Sequence, residues 1–245
     1  MNGAAVQGIY KSTIHLSLNE AIITVGAGVG RGKHHILIDA PVDFYSLDFI
    51  VGSKAEIKDQ AIQIGSLILD VKEDSMNFFY PYTKTYRIDI QSFETIKNLK
   101  SMIKEIHHHN VFSYKKDDPW LKYQFEKIDI FLNSPGLPSA LSILGLGMGL
   151  TPLGDDILTG FILGLNSVGK SLPWVPQLIS DAKKKTNKLS AQNLLDTYER
   201  YYPDIFIDML EGIFIEHDVE KAKSILNLGA TSGAGILTGF IYGLI

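Results

Sequence analysis

The chain has 245 residues, enough for one large domain or two small ones. Apolar residues make up 45% and charged residues 20%, a composition that buries a core rather than remaining disordered. The net charge of −4 offers no electrostatic surface for nucleic acid. The absence of cysteine excludes disulfides, thiolate metal sites and cysteine nucleophiles, and it fits a reducing compartment.

Residues 1–10 contain no basic segment followed by an apolar one, so no secretory signal is expected. The apolar stretches 157–165 and 236–245 are far shorter than the ~20 residues that cross a bilayer. Both are rich in glycine and are expected as buried helices of a soluble, cytoplasmic protein with no membrane partner.

In chain order, residues 1–90 read as strands and turns, with short β-leaning stretches at 14–18, 21–25, 35–39, 48–51, 62–71 and 85–90. Turn residues separate them, including a glycine-rich turn at 26–32. Closely spaced short strands predict a small barrel or sandwich. The pattern changes near Gln91. Ser92 is expected as an N-cap, and Phe93, Ile96, Leu99, Ile103 and Ile106 have helical spacing. Asp117-Asp118-Pro119 opens a second helix through about residue 132, and 133–136 stops it. The expected class is α+β, with a β-rich domain at 1–90 and a mainly helical domain at 91–245. Two features read as surface rather than site. The charged run 183–188 lacks apolar partners, and His107-His108-His109 point in different directions on a helix with no further ligand at the right spacing.

Chemistry concentrates in Gly145-Leu146-Gly147-Met148-Gly149-Leu150-Thr151-Pro152-Leu153-Gly154-Asp155-Asp156. Alternating glycines bare the backbone, so ligand atoms can approach peptide N–H groups. Thr151 before Pro152 looks like an N-cap ahead of a first-turn proline. That puts Asp155 and Asp156 in the first turn, where the helix dipole favours carboxylates. One reading is structural: the glycines permit packing and the acids favour the helix start. The other is functional: loop and helix N-terminus form an anion site, and the acids bind a substrate N–H or a metal. There is no Walker lysine and no dinucleotide fingerprint. A phosphate beside two carboxylates would require Mg²⁺ or another cation.

The segment 154–165 recurs at 233–244, with nine of twelve positions identical at an offset of 79. In the first copy Asp156, Gly160 and Gly164 share a helix face. In the second, Gly235, Gly239 and Gly243 do. Two such glycine stripes predict a close, pseudo-symmetric helix pair with neighbouring N-terminal ends. A third candidate is Thr186-Asn187-Lys188-Leu189-Ser190, read either as a cap for the following helix (191–202) or as ligand hydroxyls. Tyr198, Tyr201 and Tyr202 are expected to pack.

These motifs resemble the AllH family. The segment 145–156 is similar to the family's Gly-rich signature, 186–190 to its Thr-Thr-x-Ile/Leu-Ser segment, and Gly229-Ala230-Thr231-Ser232-Gly233 to its Gly-x-Thr-Ser-Gly segment. The N-terminal strands fit more loosely. The resemblance implies a subunit of an oxamate carbamoyltransferase in allantoin and purine catabolism. Such an enzyme exchanges a carbamoyl group between oxamate and phosphate, and it assembles with an FdrA-like subunit and a second large subunit. On this reading Asp155 and Asp156 are catalytic or hold Mg²⁺. Gly147, Gly149, Leu150, Thr151, Gly154, Ser190, Thr231, Ser232 and Gly233 contact a small anionic substrate such as oxamate, carbamoyl phosphate or phosphate. The chain departs from the family pattern at Asn187 and at Gly235, where the family often carries Thr and Asp. A non-catalytic interaction subunit and a metal-dependent hydrolase are the other two readings.

Overall fold

The structure is a computed structural model. It describes residues 4–27, 31–38, 40–58, 61–70, 80–106, 118–229 and 231–244. The histidines at 107–109, Asp117, Ala230 and the centre of the glycine turn (28–30) lie outside the described residues. The chain divides into two compact units, Met1–Tyr80 and Pro81–Ile245, and the architecture is α+β.

The first unit is one seven-stranded sheet curled into a half-barrel. Its strands are β1 (Ala4–Ile9), β2 (Thr13–Leu18), β3 (Ala21–Gly26), β4 (His35–Leu37), β5 (Lys54–Lys58), β6 (Ala61–Ile64) and β7 (Leu67–Asp70), in the order β4-β3-β2-β1-β5-β6-β7. All neighbours pair antiparallel except β3 with β4. Alternation places Val6, Ile14, Leu16, Val25, Ile62 and Ile64 on one buried face. Asn19 and Gly65, both with positive φ, make the turns between β2 and β3 and between β6 and β7.

Several sequence expectations change here. Of the expected strand at 62–71, residues 62–70 form a hairpin split by Gly65, and residue 71 lies outside the described residues. Residues 48–51 are not a strand. A turn closes there through Ser53 N–H to the Ile50 carbonyl, and Ile50 is exposed. Strands β1 and β5 were not anticipated, because their alternation rests on alanines and a glycine as much as on large apolar residues.

The second unit holds α1 (Ile90–Ile106), α2 (Pro119–Asn133), α3 (Leu137–Ile143), α4 (Leu153–Ser167), α5 (Val175–Lys185), α6 (Lys188–Tyr198), α7 (Asp204–Phe214), α8 (Val219–Ala222) and α9 (Ser232–Leu244). Residues 85–89 form an extended strap, not a strand of the sheet: Tyr86 N–H donates to the Ser167 carbonyl, and the Tyr86 ring stacks on Phe214. The helix after it starts earlier than Ser92, because Asp89 accepts a hydrogen bond from Ser92 N–H and closes the first turn. Asp118 and Pro119 start α2 as their spacing predicts. Helix α6 ends at Tyr198, before the tyrosine pair; Tyr202 packs against Phe206 and Tyr82, while Tyr198 is 38% exposed. No helix among the described residues is long and apolar enough to cross a membrane.

The centre of this unit is the pair α4 and α9, the two copies of the sequence repeat. A Cβ built on Gly160 would lie 1.9 Å from the Ile236 carbonyl oxygen, and one on Gly239 would lie 1.9 Å from that of Ile157. The next turn repeats the exchange. A Cβ on Gly164 would come within 2.4 Å of the Phe240 oxygen, and one on Gly243 within 2.3 Å of the Phe161 oxygen. Residue numbers rise together along both helices, so the helices are parallel. Every contact has its mirror at the offset of 79, which makes the pair locally two-fold. The glycine hydrogens point at carbonyls across the interface, where weak C–H···O contacts add to close packing. Phe161, Ile162, Leu237 and Phe240 then build the two apolar cores flanking the pair.

Gly160→Ala should therefore cost about 2 kcal/mol or more, because the methyl meets backbone that cannot rotate away. A thermal melt of the variant should show a fall of several degrees; an unchanged midpoint would mean the helices are not in backbone contact.

Candidate functional site

Parallel packing brings the leading turns of α4 and α9 together. The Thr151 hydroxyl lies 2.7 Å from that of Ser232. Pro152, not Thr151, occupies the N-cap of α4: its carbonyl accepts from Asp155 N–H and Asp156 N–H, and the Thr151 side chain is turned to α9 instead. Thr151 is thus a bridge between the two repeats rather than a cap.

The third motif joins the same place. Asn187 caps α6 by accepting from Ser190 N–H, and its Nδ2 donates to the Leu150 carbonyl at 2.8 Å. The Ser190 hydroxyl donates to the same carbonyl at 3.3 Å. Lys183, Lys184 and Lys185 form the exposed last turn of α5, where cations suit the helix C-terminus. The three segments that the sequence singles out, 145–156, 186–190 and 231–235, converge.

The two aspartates do different work. Asp155 is 1% exposed. One of its oxygens accepts from Gly145 N–H at 2.6 Å, and the other accepts a short hydrogen bond from the Thr186 hydroxyl. Burial pushes its carboxyl up, against the pull of Thr186, Gly145 and Ser190. This carboxylate staples the glycine loop to the α5–α6 junction. Thr186 and Asn187 were absent from the sequence-derived site; the only signal for them was their place in the third motif.

Asp156 is 4% exposed, and its Oδ2 is fully buried with no hydrogen-bond partner. Burial, followed by the charge of Asp155, pushes its carboxyl up to about 8, while the Ser232 and Thr151 hydroxyls oppose the shift. Across the interface stands Gly235, whose added Cβ would lie 2.9 Å from the Asp156 Cβ. The side chain missing from the second repeat is therefore the one that would press on this acid.

The loop above them alternates in backbone sign, with positive φ at Gly145, Gly147 and Gly149. These conformations favour glycine and leave the backbone of the loop without side-chain cover. Among the described residues, none accepts from the N–H groups of Gly147, Met148, Gly149 or Leu150. A Cβ on Gly147 would meet Leu153 N at 2.6 Å, which lays the loop across the start of α4, whereas Gly149 faces open space. Met148 is 82% exposed. Gly154 and Gly233 are buried, and their Cα hydrogens face the Ile143 and Ile225 carbonyls, so these two glycines serve packing directly. Thr231 is half-buried at the head of α9, and its carbonyl accepts from Gly235 N–H. Among the described residues there is no cluster of three His, Asp or Glu able to hold a metal ion.

Residues 143–244 match the AllH family model, described as oxamate carbamoyltransferase subunit AllH. No curated protein and no solved structure matches the chain. The AllH match begins on the last residue of α3 and ends on the last of α9, so it takes in all three converging segments. It does not extend to the N-terminal sheet.

The raised carboxyl of Asp156 sets a stability dependence. A group whose folded pKa lies above its unfolded value stabilises fully below the unfolded value, near 4, and that contribution is lost as pH rises toward about 8. The slope is about 1.4 kcal/mol per pH unit for one proton. Asp156→Asn, which cannot ionise, should raise the thermal midpoint relative to the wild type near pH 8 and leave the difference small near pH 4. Parallel melts across this range check it; equal differences at both ends would show that Asp156 is not held protonated.

Proposed function

We propose that residues 143–244 bind the amide-bearing substrate of a carbamoyltransferase that works between oxamate and phosphate, as one subunit of a larger assembly. The observation that carries this reading is the unpartnered Asp156 Oδ2 buried at the joint head of two parallel helices, within the segment matched by the AllH model. Oxamate has a carboxylate at one end and a primary amide at the other. The N–H groups of Gly147 to Leu150, above the start of α4, suit the anionic end. Asp156, flanked by Thr151 and Ser232, suits the amide end, where a second carboxylate would be repelled by Asp155 and Asp156 together. Asp155, Ser190 and Thr186 hold the loop in shape, and Thr231 and Gly233 position the head of α9. Gly154 lets α4 begin against the carbonyl of Ile143.

Carbamoyl transfer requires no nucleophilic side chain; holding two reactants in line and stabilising developing charge supplies much of the acceleration. The partners in this reading are an FdrA-like subunit and a second large subunit in a cytoplasmic enzyme of allantoin and purine catabolism. Met148 favours a complementary reading: its apolar side chain, at the loop tip and nearly bare, suits docking of a partner chain over the site.

Titration calorimetry of the purified chain with oxamate, with oxalate and with inorganic phosphate tests the site. Oxamate should bind more tightly than oxalate. Gly149→Val, free of neighbours but strained at φ +95, should weaken oxamate by about tenfold or more and lower the thermal midpoint by the few degrees that about 1–3 kcal/mol of backbone strain costs. Failure of the wild type to bind oxamate or phosphate, either alone or with its partner subunits, would sink the reading. Met148→Gln, which adds no charge beside the loop and keeps its backbone N–H, should leave that binding intact and reduce co-purification of the partner subunits.

A further inference from the structure

Moving a carbamoyl group on or off oxamate makes or breaks a C–N bond at an amide nitrogen. That nitrogen is a very poor leaving group as an anion, so it must gain a proton as the bond breaks. In the opposite direction it must lose one to attack. The reaction therefore needs a proton-transfer group at the amide end of the site, shielded from water.

We propose that Asp156 is this group, delivering and removing the proton at the oxamate nitrogen through its unpartnered Oδ2. The inference rests on the carbamoyltransferase reading above. Asp155 is unsuited, because both of its oxygens already accept hydrogen bonds, from Gly145 and Thr186. The hydroxyls of Thr151 and Ser232 are not acids at neutral pH and lie against each other. The groups acting on Asp156 are Asp155 in its own turn, Thr151 from the loop and Ser232 from α9. The one charged group among them is an acid, so no cation forces Asp156 to stay ionised. Its Oδ2 is buried without a donor, which is the condition for holding a proton at neutral pH and giving it up only to a nitrogen that gains an electron pair as its C–N bond breaks. The upward shift to about 8 agrees with that condition.

Atoms balance as follows when the acceptor is phosphate. An oxygen of monohydrogen phosphate attacks the terminal carbonyl carbon of N-carbamoyl oxamate. The new C–O bond forms, the C–N bond breaks, and its electron pair goes to the oxamate nitrogen. That nitrogen takes the proton from Asp156 Oδ2, and the phosphate proton passes to the Asp156 carboxylate. The products are oxamate and carbamoyl phosphate, and Asp156 is restored. Reversal uses the same proton in the other sense.

The test uses the chain co-purified with its partner subunits, assayed for carbamoyl phosphate formed from N-carbamoyl oxamate and phosphate. In Asp156→Asn, kcat should fall about 100- to 10,000-fold, with KM for N-carbamoyl oxamate within about threefold. The wild type should lose activity as pH rises above about 8, where Asp156 no longer carries its proton, and the residual activity of the Asn variant should lack that limb. Asp156→Glu should keep the limb at a displaced pH, and it carries the test if the Asn variant does not fold. An Asn variant with wild-type kcat, or with the basic limb intact, overturns the role of Asp156 and leaves the function standing. A wild-type assembly that binds no oxamate and transfers no carbamoyl group overturns both.

Discussion

Everything in the helical unit depends on two backbones touching. Gly160 and Gly239 exchange contacts with the carbonyls of Ile236 and Ile157, and Gly164 and Gly243 do the same one turn later with Phe240 and Phe161. Side chains at any of these four positions would push the helices apart. Because the two helices run parallel, the contact also fixes where their N-termini lie. Parallel helix dipoles placed side by side repel, so close packing has to outweigh that cost. In return, two electropositive helix heads are brought to one spot, and Thr151 can reach Ser232.

The repeat is symmetric in its packing and asymmetric in its chemistry. Glycine, threonine and phenylalanine positions coincide in the two copies, but Asp155 and Asp156 face Ala234 and Gly235 in the second. A carboxylate at 235 would stand against Asp156, since even a Cβ there approaches to 2.9 Å. Leaving that position bare gives the head of the pair a single acid with an unengaged oxygen. Asp155, one residue earlier, points to the other side and is consumed in tying Gly145 to Thr186. Adjacent residues on a helix face different directions, so one carboxylate is tied into the loop while its neighbour keeps an unengaged oxygen.

The sequence makes the helix pair legible because a repeated glycine stripe has few uses other than close approach. The meeting of the three motifs was legible only in part. The offset of 79 points to a pair, yet nothing in the residues 186–190 says that Asn187 and Ser190 grip the Leu150 carbonyl. That contact joins residues 37 and 40 positions apart and depends on how α5 turns into α6. The helix start was misplaced at Thr151 for a local reason: hydroxyl-before-proline is a good capping pattern, but a tertiary partner, Ser232, outbid the local bond. Strands 48–51 and 85–90 failed in the same way, through apolar residues that serve a turn and a strap. Strands β1 and β5, in the interior of the sheet, are hard to read because small residues carry little periodic signal.

The protonation of Asp156 is set by competing terms of unequal size. The helix heads favour an ionised carboxylate, by roughly 0.3–1 kcal/mol each and at most about 2 in a buried setting. Desolvation of a carboxylate costs several kcal/mol, and the neighbouring Asp155 adds to it. With Oδ2 lacking a donor, the proton stays. A nitrogen that acquires an electron pair as its bond breaks draws that proton away, whereas a neutral amide leaves it in place. In the proposed reaction the charge of Asp156 therefore follows the proton count of the amide nitrogen.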